Sequence, residues 1–224
     1  MVKSIAIAHP SPSARFWDRI APRYARAAIA DQAGYEKTLQ RVSGLLAPTH
    51  TVLELGCGTG TTALRLAPQA RSLLATDASP AMVAIARERL HAQPTPGLTF
   101  AVADADLATF DTAGYDRVLA FNLLHLLADL DQALAAIAHT LRPGGLFISK
   151  TPCIAEMNPL ITHLAVPLMR AVGKAPPLLR FDEAQLHSAI RRAGLEVIAT
   201  ERHGTRGKDV RAFVVARKPA AVRA

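Results

Sequence analysis

The sequence predicts an α/β protein with a doubly wound, mostly parallel sheet. Three observations predict it. Short β-rich runs alternate with amphipathic helices from residue 51 onward, a glycine-rich loop lies between the first run and its helix, and the last two runs follow each other with no helix between them. Strand–helix alternation argues for a parallel sheet covered on both faces, and two consecutive strands at the end can pair as an antiparallel hairpin.

Each element follows in order. Residues 1–12 read as a loose tail. From Phe16 to Leu46 the pattern is helical, with Phe16, Ile20 and Tyr24 on one face. Ala21-Pro22 predicts a break or bend and Gly34 a second interruption, giving two helices. The second helix, Tyr35 to Leu46, carries Leu39, Val42 and Leu46 on one face and ends before Pro48. Thr51 to Leu55 is the first strand, and the helix from Thr61 to Leu66 is stopped by Pro68. Leu73 to Thr76 is the second strand. Ser79 as N-cap with Pro80 behind it starts a helix that runs to about His91. Leu98 to Ala103, Arg117 to Phe121 and Leu146 to Ser149 read as further strands, the last two separated by a helix from Asp131 to Leu141. Leu141-Arg142-Pro143-Gly144-Gly145 is a helix stop followed by a tight turn. A helix from Asp182 to Ala193 stops at Gly194, and the hairpin strands are Glu196 to Thr200 and Ala212 to Ala216.

The 224 residues suit one domain, here 49–218, preceded by tail and cap helices at 1–48 and followed by a tail at 219–224. Half the chain is apolar, enough for a sizeable core. No run is long enough to span a bilayer and the N-terminal apolar stretch is short, so a cytoplasmic protein is expected, with peripheral membrane contact left open. Cys57 and Cys153 make neither a disulfide framework nor a Cys-x-x-Cys metal pair. The net charge of +8, spread thinly along the chain but richest toward the C-terminus, fits a solvated basic face or attraction to nucleic acid or an acidic membrane.

The most informative segment is Val52-Leu53-Glu54-Leu55-Gly56-Cys57-Gly58-Thr59-Gly60. Glycines there permit a tight turn and close approach of backbone N–H groups to a ligand. A dinucleotide fingerprint needs G-x-G-x-x-G, whose third glycine would fall at Thr61; the spacing here is G-x-G-x-G, with Glu54 ahead of it. A carboxylate at a strand end suits a ligand with an ammonium group, such as S-adenosylmethionine, better than a pyrophosphate. Asp77, ending the second strand, is placed to accept from ribose hydroxyls, and Asp104, ending the third with Ala105 beside it, from an adenine amino group.

These residues resemble the class I S-adenosylmethionine-dependent methyltransferases, in particular the small ubiquinone/menaquinone-biosynthesis type. Their E/D-x-G-x-G-x-G loop is met by Glu54, Gly56, Gly58 and Gly60, and their two acidic strand ends by Asp77 and Asp104. The strand-four segment Tyr115 to His125 and the Leu-Arg-Pro-Gly-Gly turn also match, over nearly the whole chain. The resemblance implies a seven-stranded Rossmann-like sheet with its last strand antiparallel and N-terminal helices, around Phe16 to Tyr24, closing over the cofactor. It implies S-adenosyl-L-methionine as cofactor, with Tyr24, Cys57, Ala78, Met82, Ala105, Phe121 and Asn122 added to the binding set. Met82 is either an adenine contact or core, and the Cys57 thiol reads as a small filler of the loop.

The acceptor is less legible. A small-molecule or lipid-like acceptor is expected, the methylated atom being open. Nucleic acid is the alternative, but the polar-Pro-Pro-aromatic site of amine-methylating enzymes is missing, since Leu123-Leu124-His125 follows Asn122. A non-catalytic S-adenosylmethionine-binding protein is a third reading. His125 is the titratable residue nearest the expected reaction centre, either a general base or a residue that shapes the pocket. Thr151 to Leu179 is read as an apolar substrate lid or a plain packed helix, and Lys150 as a contact for an anionic substrate or a solvated lysine. No metal-ligand cluster is visible, so metal independence is expected.

Overall fold

A computed structural model describes residues 12–105, 110, 112–157, 178–207 and 209–220. The chain runs α1 (Pro12–Arg26), α2 (Gln32–Ser43), β1 (Thr51–Leu55), α3 (Thr61–Leu66), β2 (Ser72–Asp77), α4 (Pro80–Ala92), β3 (Leu98–Val102), β4 (Tyr115–Phe121), α5 (Leu130–Thr140), β5 (Leu141–Pro152), α6 (Glu183–Arg192), β6 (Glu196–Glu201) and β7 (Arg211–Arg217). The seven strands form one sheet in the order β3-β2-β1-β4-β5-β7-β6. β1 pairs in parallel with β2 and β4, and β7 runs antiparallel between β5 and β6. The doubly wound sheet and its terminal hairpin are therefore as the sequence predicts.

Both faces of the sheet are covered. Alternating side chains of β1 divide between two cores. Leu53 and Leu55 pack with Leu134 and Ile137 of α5 and Leu186 and Ile190 of α6. Val52 faces Leu39 and Val42 of α2, Ala63 of α3 and Val83 and Ala86 of α4. β7 lies inside the sheet, and Ala212 to Ala216 are buried without a break, the apolar run expected of a strand covered on both sides. β6, at the edge, exposes Glu196 and Ile198.

Three local expectations are corrected. α1 continues through Pro22 to Arg26, because Ala21 is fully buried and the docking of the helix on α4 outweighs the missing backbone bond. Gly34 does not interrupt the second helix. It sits in the first turn of α2, where its N–H is received by the Asp31 N-cap at 3.0 Å and where a Cβ would lie 2.7 Å from the His203 carbonyl. Its smallness lets α2 approach the β6–β7 loop. Strand pairing of β5 begins at Leu141 opposite Tyr115, so the Arg142-Pro143-Gly144-Gly145 turn is an excursion within β5 before Leu146 pairs with Arg117. The N-terminal tail as far as residue 11 and residues 158–177 of the expected lid lie outside the described residues.

Among the described residues, no helix is long and apolar enough to cross a membrane, and no group of three or more His, Cys, Asp or Glu could hold a metal ion. Cys57 and Cys153 are buried free thiols.

Candidate active site

The carboxyl ends of β1, β2 and β4 open into a cleft of about 630 Å³. This is the position that strand-order reversal gives to ligands in open α/β sheets. Its floor is the glycine loop. Gly56 and Gly58 take positive φ of 66° and 54°, a conformation glycine adopts at no steric cost. The loop is tied to β2 twice: the Cys57 N–H donates to the Thr76 carbonyl, and the Gly58 N–H donates to Asp77 Oδ2, both at 2.9 Å.

Asp77 Oδ1 accepts the Ser79 N–H at 2.9 Å, so the carboxylate braces both the glycine loop and the start of α4 while lining the cleft. Burial pushes its pKa above the ordinary value, against the pull of these two N–H donors. Ala78 and Met82 lie beside it, and Met82 is held by the Ser79 N-cap, whose Oγ receives the Met82 N–H at 3.1 Å. Asp104 and Ala105, just beyond β3, form the next stretch of wall. Trp17 and Tyr24 of α1 close the near side, their rings edge to face at 6.0 Å.

The far side is the tip of β4. Phe121 is followed by Asn122, which carries φ of 53°, an uncommon conformation that asparagine tolerates better than most residues. Its N–H donates to the Lys150 carbonyl at 2.7 Å. His125 follows in a short 3₁₀ turn, with Nδ1 3.2 Å from the Thr151 hydroxyl. Burial pushes the His125 pKa down to about 4, leaving the imidazole neutral at pH 7. An imidazole so weakly basic is a poor proton acceptor in the ligand-free cleft.

Three residues of the expected binding set do not line the cleft. Gly60 is a packing residue: a Cβ there would lie 2.6 Å from Phe100 and 2.9 Å from Ala86. Cys57 turns its thiol into the core beside Ala63 and Val83. Glu54 sits within β1, 2% exposed, below the loop. Its Oε2 has no hydrogen-bond partner, and burial, reinforced by Asp77, pushes its pKa up to about 8. Its carboxyl is therefore mostly protonated at pH 7. An orphaned acidic group beneath a cleft that also holds Asp77 and Asp104 fits S-adenosylmethionine, whose ammonium would supply the missing partner.

Sequence reasoning missed the apolar half of the cleft. Leu123, Leu126, Leu127 and Pro152 line it because the 3₁₀ turn at 124–126 folds the post-β4 segment back over the end of β5. No motif marks that turn.

A sheet with this order, with a glycine loop and the carboxylates Asp77 and Asp104 at its switch-point cleft, defines an open doubly wound α/β protein. Residues 52–145 match the methyltransferase domain family. The chain is 32% identical over 171 residues to the ubiquinone/menaquinone biosynthesis C-methyltransferase UbiE of Acidiphilium cryptum, a match covering 68% of each protein. It is 38% identical over 162 residues to a non-reducing polyketide synthase of Aspergillus terreus, of which it spans only 6%. Among solved structures, a complex of the Trm112 methyltransferase activator with a methyltransferase from Haloferax volcanii contains a similar chain, with TM-score 0.76 and 22% identity, covering 95% of this chain and 100% of that one. The chain belongs to the S-adenosylmethionine-dependent methyltransferases, and S-adenosylmethionine is the cofactor of that family.

Proposed function

We propose that this protein transfers a methyl group from S-adenosylmethionine to a small-molecule or lipid-like acceptor. The observation that carries the reading is the 630 Å³ cleft, which joins Asp77 and Asp104 to the apolar wall formed by the β4 tip. In this reading Asp77 accepts the ribose hydroxyls, Asp104 accepts from the adenine amino group, and Glu54 opposes the ammonium from below the loop. Tyr24 and Trp17 close over the ligand. When bound, the cofactor supplies a methyl carbon already activated by its sulfonium, so positioning and exclusion of water do most of the remaining work.

The chain's own residues serve that end. The leucines after Asn122 exclude water from the acceptor side. The left-handed turn at Asn122 swings the segment over the cleft mouth, and His125, neutral at pH 7, can hydrogen-bond an acceptor without competing for its proton. Small-molecule acceptors agree with the printed activities of relatives, which include UbiE and the 27-O-demethylrifamycin SV methyltransferase of Amycolatopsis mediterranei.

The test is calorimetric binding of S-adenosylhomocysteine to wild type and Asp104→Ala, followed by a search for methylated product by mass. Loss of a hydrogen bond to a charged group, about 1.5–3 kcal/mol, corresponds to at least a tenfold weaker complex in the variant. Absence of binding by folded wild type, or equal binding by both, sinks the assignment. Transfer of labelled methyl into RNA or DNA in preference to small molecules would favour the nucleic-acid reading. Binding without transfer to any acceptor would favour a non-catalytic role.

A further inference from the structure

A second chamber of about 270 Å³ adjoins the cleft and shares Tyr24, Phe121 and Asn122 with it. Lys150 of β5 enters it. The sequence left this lysine as either solvated or a substrate contact, and it is not solvated: Lys150 is 7% exposed. Its Nζ donates to Thr38 Oγ1 at 2.9 Å, and among the described residues it has no ion pair. An ammonium has three N–H donors, so two have no acceptor among the described residues.

Asp31, which also lines the chamber, and Asp209 favour the charged ammonium, but neither pairs with it directly, and the oxygens of both already accept other hydrogen bonds. Asp31 accepts the Gly34 N–H and both the N–H and the hydroxyl of Thr205. Asp209 accepts the Gly204 N–H together with the N–H and Nε of Arg211. Arg211, which also lines the chamber, pairs directly with Asp209 at 2.9 Å, whereas Lys150 makes no such ion pair among the described residues. Burying a charge without a partner is costly, and the open volume beside Nζ is where a partner fits. Thr38 holds the ammonium in place, its hydroxyl 2.8 Å from the Gly34 carbonyl and 3.0 Å from His203 Nδ1.

We propose that this chamber seats the methyl acceptor and that Lys150 binds an anionic oxygen on it, a carboxylate or the ionised oxygen of a phenol or enol. The inference rests on the methyl-transfer reading and adds the substrate's chemical class. The chamber meets the cofactor cleft at the β4 tip, so an acceptor anchored on Lys150 extends past Asn122 toward the cleft. Thr38 is a positioning residue for that anchor.

The test titrates benzoate and its neutral analogue benzamide into protein saturated with S-adenosylhomocysteine, in wild type, Lys150→Met and Lys150→Gln. A charge-assisted hydrogen bond predicts saturable benzoate binding that falls about tenfold or more in both variants, with benzamide much weaker and insensitive to them. Affinity for S-adenosylhomocysteine should change less than about twofold. Benzoate binding that is absent or survives in both variants overturns the proposal. So does competition between benzoate and S-adenosylhomocysteine with loss of the latter in Lys150→Met, which would assign Lys150 to the cofactor's own carboxylate. Failure of wild type to bind S-adenosylhomocysteine would instead overturn the methyl-transfer reading, and benzoate binding to the free protein would then still test the chamber.

Discussion

Asp18 Oδ1 accepts a 2.6 Å hydrogen bond from the Ser79 hydroxyl and a 3.0 Å bond from the Ala81 N–H, pinning α1 to the first turn of α4. Ser79 is two residues from Asp77 and itself caps α4 through the Met82 N–H, so one hydroxyl joins the cap helix to the cofactor strand. A carboxylate at this helix N-terminus is also favoured by the helix dipole.

Asp18→Ala should therefore loosen the cap while leaving the sheet intact. Loss of these bonds is expected to cost about 1–3 kcal/mol. Amide exchange over residues 14–26 should accelerate, and S-adenosylhomocysteine should bind more weakly because Trp17 and Tyr24 no longer stay over the cleft. Unchanged protection of α1 in the variant would show that its docking rests on apolar contact alone.

Glu54 predicts a pH-dependent stability with a definite sign. Its pKa rises from an ordinary 4.5 to about 8 in the folded chain. Below pH 4.5 both states hold the proton and there is no penalty. As pH rises toward 8 the unfolded chain releases a proton that the fold retains, so this group's contribution to stability falls across that window and levels off above it. The melting temperature of ligand-free Glu54→Gln should accordingly decline less than that of wild type between pH 5.5 and 8.5. Binding an ammonium should reverse the shift. Calorimetry of S-adenosylhomocysteine at pH 7 in two buffers of different ionisation enthalpy should show close to one proton released by wild type and none by Glu54→Gln. Equal proton release by both would remove Glu54 from the ligand's field.

The same residue shows how far the sequence could be read. Strand and helix order, the hairpin and the switch-point position of Asp77 and Asp104 follow from local signals: periodicity, caps and glycine spacing. Glu54 was legible as an acidic partner of the loop, but its depth in β1 was not, because that depends on α2 and α3 covering the same face. Lys150 was ambiguous for the same reason. Its burial is made by Thr38, 112 positions earlier, and by β7, with which β5 pairs. Of the break or bend that Ala21-Pro22 suggested, the break does not occur, because tertiary docking overrode the local breaking signal.

His125 offers a direct spectroscopic check. With its pKa pushed down to about 4 by burial, it should stay neutral through the range in which an exposed histidine titrates. Below pH 6.5 the unfolded chain would take up a proton that the fold refuses, so this group's contribution to stability falls as the solution is acidified toward pH 4. The Cε1–H resonance that disappears in His125→Gln should show no midpoint between pH 5.5 and 8. A midpoint near 6.5 would make the imidazole an accessible base and restore the catalytic assignment.

Gly58 and Gly60 separate ligand binding from folding within one loop. Both have positive φ, 54° and 78°, so alanine at either carries a backbone cost of about 1–2 kcal/mol. Their surroundings differ. At Gly58 the nearest atom to a new Cβ is Tyr24 Cε1, at 3.8 Å across the cleft, so the methyl group projects into the space the ligand needs. At Gly60 the new Cβ would meet the Phe100 ring at 2.6 Å and Ala86 at 2.9 Å, both in the core, adding an overpacking cost of about 1–3 kcal/mol. Gly58→Ala should therefore unfold at only slightly lower denaturant than wild type yet lose S-adenosylhomocysteine binding. Gly60→Ala should be clearly the less stable of the two. If Gly60→Ala proves as stable as Gly58→Ala, the packing role fails, and Gly60 returns to the ligand-binding set on which its motif position placed it.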